Sequence, residues 1–324
     1  MREALAAALG EEIVGLEPVP GGDLNAAYRA TLAGGARVFV KTAPDAAPGA
    51  YAAEAAGLRW LGAAGALPVP EVLAVDARWL ALAWVDGGGR LDEAALGRGL
   101  AAVHRAGAAC FGTLPGVGGL PGTGGDDGGV SAAGSGVGAG GDGDGMSSDG
   151  SGAGAAADAP YVLGPLVLPN TPGDSWPTFY AESRLLPLAR MAADRDVLDA
   201  GGVRAVELVA ARIEELAGPA EPPARLHGDL WSGNVHAGAD GRPWLIDPAA
   251  YGGHREIDLA MLSLFGGWAG SGSAFGAAYD EVWPRADGHA ERVALYQLLP
   301  LLVHAVLFGG GYGASARRAA ERFV

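Results

Sequence analysis

Between Gly116 and Ala159 the chain is almost entirely Gly, Ala, Ser and Asp, with Val117, Leu120, Val130, Val137 and Met146 as its larger apolar residues. A segment of that composition cannot bury enough apolar surface to offset the entropy of ordering it. It reads as a flexible, solvent-exposed, disordered insertion, so any core must come from the two flanking blocks. Its glycines do not read as a phosphate loop, because no strand precedes them and no Lys or Arg lies among them.

The flanking blocks are rich enough to fold. The 324 residues are 49% hydrophobic, enough to bury a sizeable core in two lobes. Before the insertion, Val38 to Lys41 reads as a strand, and Tyr51 to Ala64 as a helix with Glu54, Leu58 and Leu61 at helical spacing. The apolar run from Trp79 to Val85 reads as a strand that breaks at Asp86-Gly87-Gly88-Gly89. That break predicts a hinge between a small N-terminal lobe, residues 1–85, and a larger helical lobe, residues 86–324, which carries the 116–159 insertion. Leu91 to Ala109, Trp176 to Ala193 and Val203 to Ala217 read as helices, and a further one starts near Asp258. Leu295 to Phe308 reads as a buried C-terminal helix, too short to span a bilayer.

Charge and cysteine content narrow the class. With 22 basic and 37 acidic residues the net charge is −15 and no basic cluster stands out, which disfavours a nucleic-acid partner. The single Cys110 excludes an internal disulfide framework and reads as a small buried hydrophobe, which suits a reducing cytoplasm. Met1 to Leu16 carries Glu3, Glu11 and Glu12 and does not read as a secretory signal.

The chemistry is concentrated in His227-Gly228-Asp229-Leu230-Trp231-Ser232-Gly233-Asn234 and Leu245-Ile246-Asp247-Pro248. An Asp, an Asn five residues on and a second Asp thirteen further suit phosphoryl transfer. The first Asp can accept a hydroxyl proton, while the Asn and the second Asp offer the oxygen ligands that Mg²⁺ prefers beside nucleotide phosphates. The spacing parallels the kinase loop H-R-D-L-x-x-x-N with its later metal-binding Asp. A lone His-Gly-Asp or a strand ending in Asp is commonplace; the joint spacing carries the argument. Trp244-Leu245-Ile246 follows the turn Ala239-Asp240-Gly241, so Asp247 is expected at a strand end.

Upstream, Gly21 and Gly22 precede an expected strand pair with Lys41 on the second strand. Glycines let backbone N–H groups approach phosphates, and Lys41 can neutralise phosphate charge. Glu54 is placed to pair with Lys41.

Together the strings HGDLWSGN, IDPAAYGGHREIDLAM, GGDLNAAYR, FVKT, EAAGLRWL and SWPTFYAESRL resemble the fructosamine kinase (ketosamine kinase) family, whose relatives include the aminoglycoside phosphotransferases. The resemblance covers nearly everything except the insertion. It implies an α+β, bilobal, protein-kinase-like fold, with a small β-rich N-lobe and a larger, mostly helical C-lobe. It also implies ATP-dependent phosphorylation of a sugar hydroxyl, O3, on ketosamines such as ribulosamines or fructosamines, in glycation repair. By resemblance Asp229 is the catalytic base, Asn234 and Asp247 hold Mg²⁺, Lys41 contacts ATP phosphates with Glu54 supporting it, and Ala83-Trp84-Val85 is the adenine-binding hinge. Such a base does not need a raised pKa, since the hydroxyl's proton can leave late.

Trp231, two residues after the base, is the first substrate-site candidate, as an aromatic face for a sugar or amine. Arg255 is a second, with a structural salt bridge as its competing role. By resemblance to kinase architecture, Asp258 hydrogen-bonds the catalytic-loop backbone. His104 and His227 read as orienting loops and packing, and Arg184 as helix packing. Two positions depart from the family pattern: Asp23 stands where some members carry a redox cysteine, and Ala83 where an acidic residue usually opens the hinge. The expected partner is a small ketosamine or glycated lysine, with no nucleic acid and no membrane, and the chain is expected to be a monomer or weak homodimer. The rival readings are a kinase of the same fold acting on an aminoglycoside or choline-like alcohol, and a non-catalytic ATP-binding regulator. Retention of Lys41, Asp229, Asn234 and Asp247 argues against the regulator.

Overall fold

The computed structural model describes residues 1–20, 25–116, 159–265 and 273–324. Gly21, Gly22, Asp23 and the interior of the insertion lie outside the described residues.

The N-terminal part is a sheet covered by two helices. Helix α1 (Arg2–Leu9) leads into strands β1 (Ile13–Val19), β2 (Ala26–Leu32) and β3 (Arg37–Thr42), then helix α2 (Ala50–Gly62) and strands β4 (Val72–Asp76) and β5 (Trp79–Ala83). The five strands are antiparallel, in the order β1-β2-β3-β5-β4. Strand alternation sorts their side chains between two small cores. Val38, Val40, Trp79 and Ala81 pack with Leu5 of α1, whereas Leu80 and Leu82 pack with Tyr51, Ala55 and Leu58 of α2. Lys41 follows Val40 on β3 and therefore faces α2, on the side of Phe39.

The rest is mostly helical. Helix α3 (Glu93–Arg105) is capped by Asp92, whose carboxylate accepts the Ala95 N–H at 2.9 Å. After the hairpin of β6 (Tyr161–Leu163) and β7 (Leu166–Leu168), helix α4 (Trp176–Tyr180) runs through a π-helical segment, Ala181–Leu185, into α5 (Leu186–Asp194). Helices α6 (Ala200–Ala211) and α7 (Ile213–Leu216) follow. A short-stranded region comes next: β8 (Ala224–Leu226), β9 (Val235–Ala237), β10 (Pro243–Leu245) and β11 (Tyr251–Gly253). Helices α8 (Glu256–Leu264), α9 (Ala274–Val282), α10 (His289–Tyr296), α11 (Leu298–Phe308) and α12 (Tyr312–Ala320) complete the chain.

One core joins the two parts. Trp60 and Leu61 of α2 pack with Leu96, Leu100 and Val103 of α3, with Phe275 and Tyr279 of α9, and with Leu230, Val235 and Leu245. Full burial of a Leu contributes roughly 1.5–3 kcal/mol, so Leu230 and Leu245 anchor the segments that carry Asp229 and Asp247.

Three expectations need correcting. The apolar C-terminal helix does not begin at Leu295: α10 and α11 together form a 20-residue apolar stretch, His289–Phe308, long enough to cross a bilayer. That stretch is 67% buried inside the fold, so burial, not shortness, marks it as a core element. The strand expected to reach Val85 stops at Ala83. Cys110 is only half-buried, with its Sγ 3.4 Å from Thr113 Oγ1.

Candidate active site

Register explains how the acidic residues meet. The β9–β10 hairpin pairs Val235 with Leu245, and the Ile246 N–H donates to Asn234 O at 3.1 Å, so Asp247 emerges beside Asn234. The β8–β11 pair and the Ala249 N–H to His227 O bond (3.0 Å) hold the next turn of chain against the His227-Gly228-Asp229 loop. His227 fixes that loop from within: its Nε2 bonds Ile246 O at 2.9 Å, and its Nδ1 accepts the Asp229 N–H at 3.3 Å.

Asn234 donates from Nδ2 to Asp229 O (2.8 Å) and to Asp229 Oδ2 (3.0 Å). Its amide nitrogen is thereby committed and Oδ1 is left for another partner. Burial raises the Asp229 carboxyl above the usual range, against the opposing pull of His227, His304 and the Asn234 N–H. A base in this position needs no such shift, but a raised carboxyl accepts a proton more readily.

Lys41 bridges the two halves. Its Nζ lies 2.5 Å from Glu54 Oε2 and 3.3 Å from Asp247 Oδ1, and the residue is 4% exposed. Burial by itself would lower the Lys41 ammonium, but the carboxylates of Glu54 and Asp247 more than offset it and hold the group charged. Burial pushes the Glu54 carboxyl up to about 7 while Lys41 pulls it down. At 2.5 Å the contact is an ion pair, with the proton on the more basic lysine. Asp247 keeps much of its side chain open (41% exposed) and sits at φ +52, a left-handed conformation uncommon outside glycine.

At the proposed hinge the Ala83 N–H donates to Glu71 O (2.8 Å) and the Trp84 N–H to Arg37 O (3.4 Å). Of the three residues, only Val85 has an N–H without a partner among the described residues. The guanidinium carbons of Arg29 and Arg37 lie 5.7 and 5.9 Å from the centre of the Trp84 ring, which donates through Nε1 to Asp86 Oδ1 at 3.2 Å.

Trp231 is 37% exposed and lies across Gly233, where a Cβ would meet the indole at 2.3 Å. Its ring meets Phe265 edge-on at 6.1 Å, and Phe265 in turn contacts the His304 ring at 4.9 Å. Arg255 does not join this face. It is 1% exposed, with Nε and Nη2 on Glu221 (2.7 and 2.6 Å) and further bonds to the carbonyls of Trp283 and Pro284. All four of these bonds are internal, so the geometry favours the structural salt bridge over a substrate contact for Arg255. No sequence motif singles out His304. A polar ring inside an otherwise apolar helix was the available signal.

The fold and the polar cluster are those of a protein-kinase-like phosphotransferase. The fructosamine kinase family model matches residues 1–114 and 155–324, leaving out most of the Gly-rich insertion. The chain belongs to the fructosamine kinase family and is an enzyme, a phosphotransferase with an alcohol group as acceptor. A probable ketoamine kinase from Thermus thermophilus is 32% identical over 93% of this chain and 91% of its own length. A chloroplastic protein-ribulosamine 3-kinase from Arabidopsis thaliana is 30% identical over 94% and 81%. The crystal structure of a putative fructosamine-3-kinase from Thermobifida fusca, 40% identical, superposes with a TM-score of 0.78 over 99% of this chain and 97% of that one. A LicA protein solved with AMP, 15% identical, shares the fold at a TM-score of 0.57 over 99% and 96%.

Proposed function

We propose that this protein uses ATP to phosphorylate a sugar hydroxyl, O3, of ketosamines such as ribulosamines or fructosamines, free or on glycated lysine, as a step in cytoplasmic glycation repair. The observation that carries the chemistry is a pair of neighbouring contacts: Asn234 on Asp229, and Lys41 joining Glu54 to Asp247. The substrate class rests on the family and on the ketoamine and ribulosamine kinases that the chain resembles.

In this reading the cleft lies between a nucleotide lobe, 1–85, and a substrate lobe, 86–324. Adenine binds at Ala83-Trp84-Val85, where the free Val85 N–H is the donor on offer. Gly21 and Gly22, outside the described residues, are assigned to the phosphates from the sequence alone. Lys41 supplies a point charge to the phosphates, with Glu54 holding it in place. The oxygen set suits Mg²⁺: Asn234 has Oδ1 to spare and Asp247 has an open carboxylate. When bound, Mg²⁺ neutralises charge on the phosphates. Asp229, oriented through Oδ2 by Asn234, accepts the proton of the attacking hydroxyl. Trp231, with Phe265 behind it, offers a flat apolar wall for the sugar or the amine carrier. Transfer of this kind leans on positioning and charge more than on covalent help.

The test is ATP consumption by the purified protein across ribulosamines, fructosamines, aminoglycosides and choline. Turnover of the ketosamines is expected; turnover confined to aminoglycosides or choline would overturn the assignment. Asp229→Ala is expected to abolish transfer while leaving nucleotide affinity nearly unchanged, and full activity in that variant would refute its role as base.

A further inference from the structure

Asp258, in the first turn of α8, is wholly buried behind the catalytic loop. Its Oδ2 accepts the His227 N–H at 2.7 Å and its Oδ1 accepts the Gly228 N–H at 2.9 Å. A third contact comes from a different element. His104, near the end of α3 and likewise 0% exposed, places Nε2 at 3.1 Å from Asp258 Oδ2. The other ring nitrogen of His104, Nδ1, lies 2.7 Å from the hydroxyl of Tyr279 on α9.

The direction of this chain follows from what each group can do. A buried carboxylate needs donors, so His104 presents N–H from Nε2. Nδ1 is then an acceptor and Tyr279 O–H the donor. Tyr279 thus fixes the tautomer of His104, and His104 in turn fills the acceptor position on Asp258 that the loop leaves open. Asp258 holds the N–H groups of the two residues immediately before Asp229. Gly228, at φ +82, is pressed so close to Ala249 that an added Cβ would sit 1.9 Å from its carbonyl oxygen. The loop has little room to adapt when its anchor shifts.

We infer that Tyr279 and His104 are positioning residues for phosphoryl transfer, setting the placement of Asp229 through Asp258. The inference rests on the reading of Asp229 as the base. It couples the base to the α3–α9 helix pair. A misplacement of about 1 Å at a reacting group can lower a rate about 100-fold.

The full-length protein is assayed with ATP and a ribulosamine, and rates are normalised to folded protein by ADP-binding titration. Tyr279→Phe removes one oxygen and is expected to lower kcat about ten-fold, and His104→Leu about 100-fold, each with KM for both substrates within about two-fold. His104→Gln, which returns an N–H donor towards Asp258, is expected to regain most of the lost kcat. Because the path from Tyr279 to the base runs through the His104 ring, Tyr279→Phe combined with His104→Leu is expected to be no worse than His104→Leu alone. Should His104→Leu fail to fold, Tyr279→Phe decides the matter alone. Unchanged kcat per folded molecule, a rise in KM at constant kcat, or additive losses in the double variant would each overturn the inference. Asp229→Ala separates the two levels. If it is inactive while Tyr279→Phe and His104→Leu are fully active, only the positioning role falls; if it remains active, the base assignment falls and the positioning role with it.

Discussion

Gly228 and Asp247 both adopt left-handed backbone, at φ +82 and +52, for different reasons. At Gly228 the chain passes the Ala249 carbonyl so closely that no side chain fits. Gly228→Ala is expected to destabilise the fold by about 2–4 kcal/mol, from strain and overlap together, and to depress turnover of the folded fraction as well. Thermal melting and a rate per folded molecule check this; a melting temperature within about 1 °C of wild type would count against it. Asp247 accepts the strained conformation while its carboxylate reaches Lys41 and stays partly exposed. The sequence announced both residue types and the strand end at Asp247, but not the backbone twist, which depends on what lies opposite. Trp231 and Arg255 teach the same lesson. Both sit in motif-bearing strings, yet one is exposed and the other is enclosed by Glu221, Trp283 and Pro284.

At the scale of elements, the site depends on how α2 is seated. Gly57 lets α2 approach the segment after Asp247, with its would-be Cβ 3.2 Å from Ala250 Cβ. Arg225 of β8 grips the other end. Its Nη1 bonds Trp60 O at 2.5 Å, and its guanidinium lies 4.6 Å from the centre of the Trp60 ring. The strand that leads into the catalytic loop is therefore tied to the helix that carries Glu54. Arg225→Ala is expected to cost about 2–4 kcal/mol, the sum of a charged hydrogen bond and a cation–π contact, and to lower kcat/KM for ATP about ten-fold as α2 loosens. Denaturant unfolding and nucleotide-dependent kinetics measure the two effects. A stability loss with unchanged kcat/KM would show that Arg225 pins the helix without tuning the site. Most of these elements were legible: the alternation around Val38–Lys41, the helical spacing of Leu96, Leu100 and Val103, and the turn at Ala239-Asp240-Gly241. The short pairs β8–β11 and β9–β10 were less so, because three-residue strands carry too little pattern to be read.

Across the whole molecule, acid is expected to unfold the protein in two stages. His254 is held by burial at about 4, against 6.5 when free, so the fold favours its neutral form. That contribution is full above pH 6.5 and is lost as pH falls towards 4. For Glu256, burial raises the carboxyl, but the His289 ring 3.4 Å away and the hydrogen bonds from Arg292 prevail and hold it at about 2 against 4.5. Its contribution is full above pH 4.5 and is lost as pH falls towards 2. Each shift of about 2.5 units corresponds to roughly 3 kcal/mol. His254→Phe is expected to flatten stability between pH 6.5 and 4.5 and leave the lower stage intact; an unchanged slope in that window counts against the buried neutral histidine. A second expectation concerns the Gly-rich stretch, most of which lies outside both the described residues and the family match. Deleting 117–158 is expected to leave kcat/KM within about two-fold and the melting temperature within a few degrees. A larger loss on melting would show that the stretch packs.

Residue types and their spacing along the chain determined the class of chemistry. Phosphoryl transfer needs a proton acceptor, oxygen ligands and a cation in a fixed order, and that order is local in the sequence. What the tertiary structure alone decided is which of those groups face one another. Lys41 and Asp247, 206 residues apart, meet only because strand alternation turns Lys41 towards α2 and hairpin register turns Asp247 towards Lys41. The enclosure of Arg255, the exposure of Trp231 and the chain from Tyr279 through His104 to the catalytic loop were decided there too, since burial and hydrogen-bond partners depend on contacts between distant segments that no local pattern encodes.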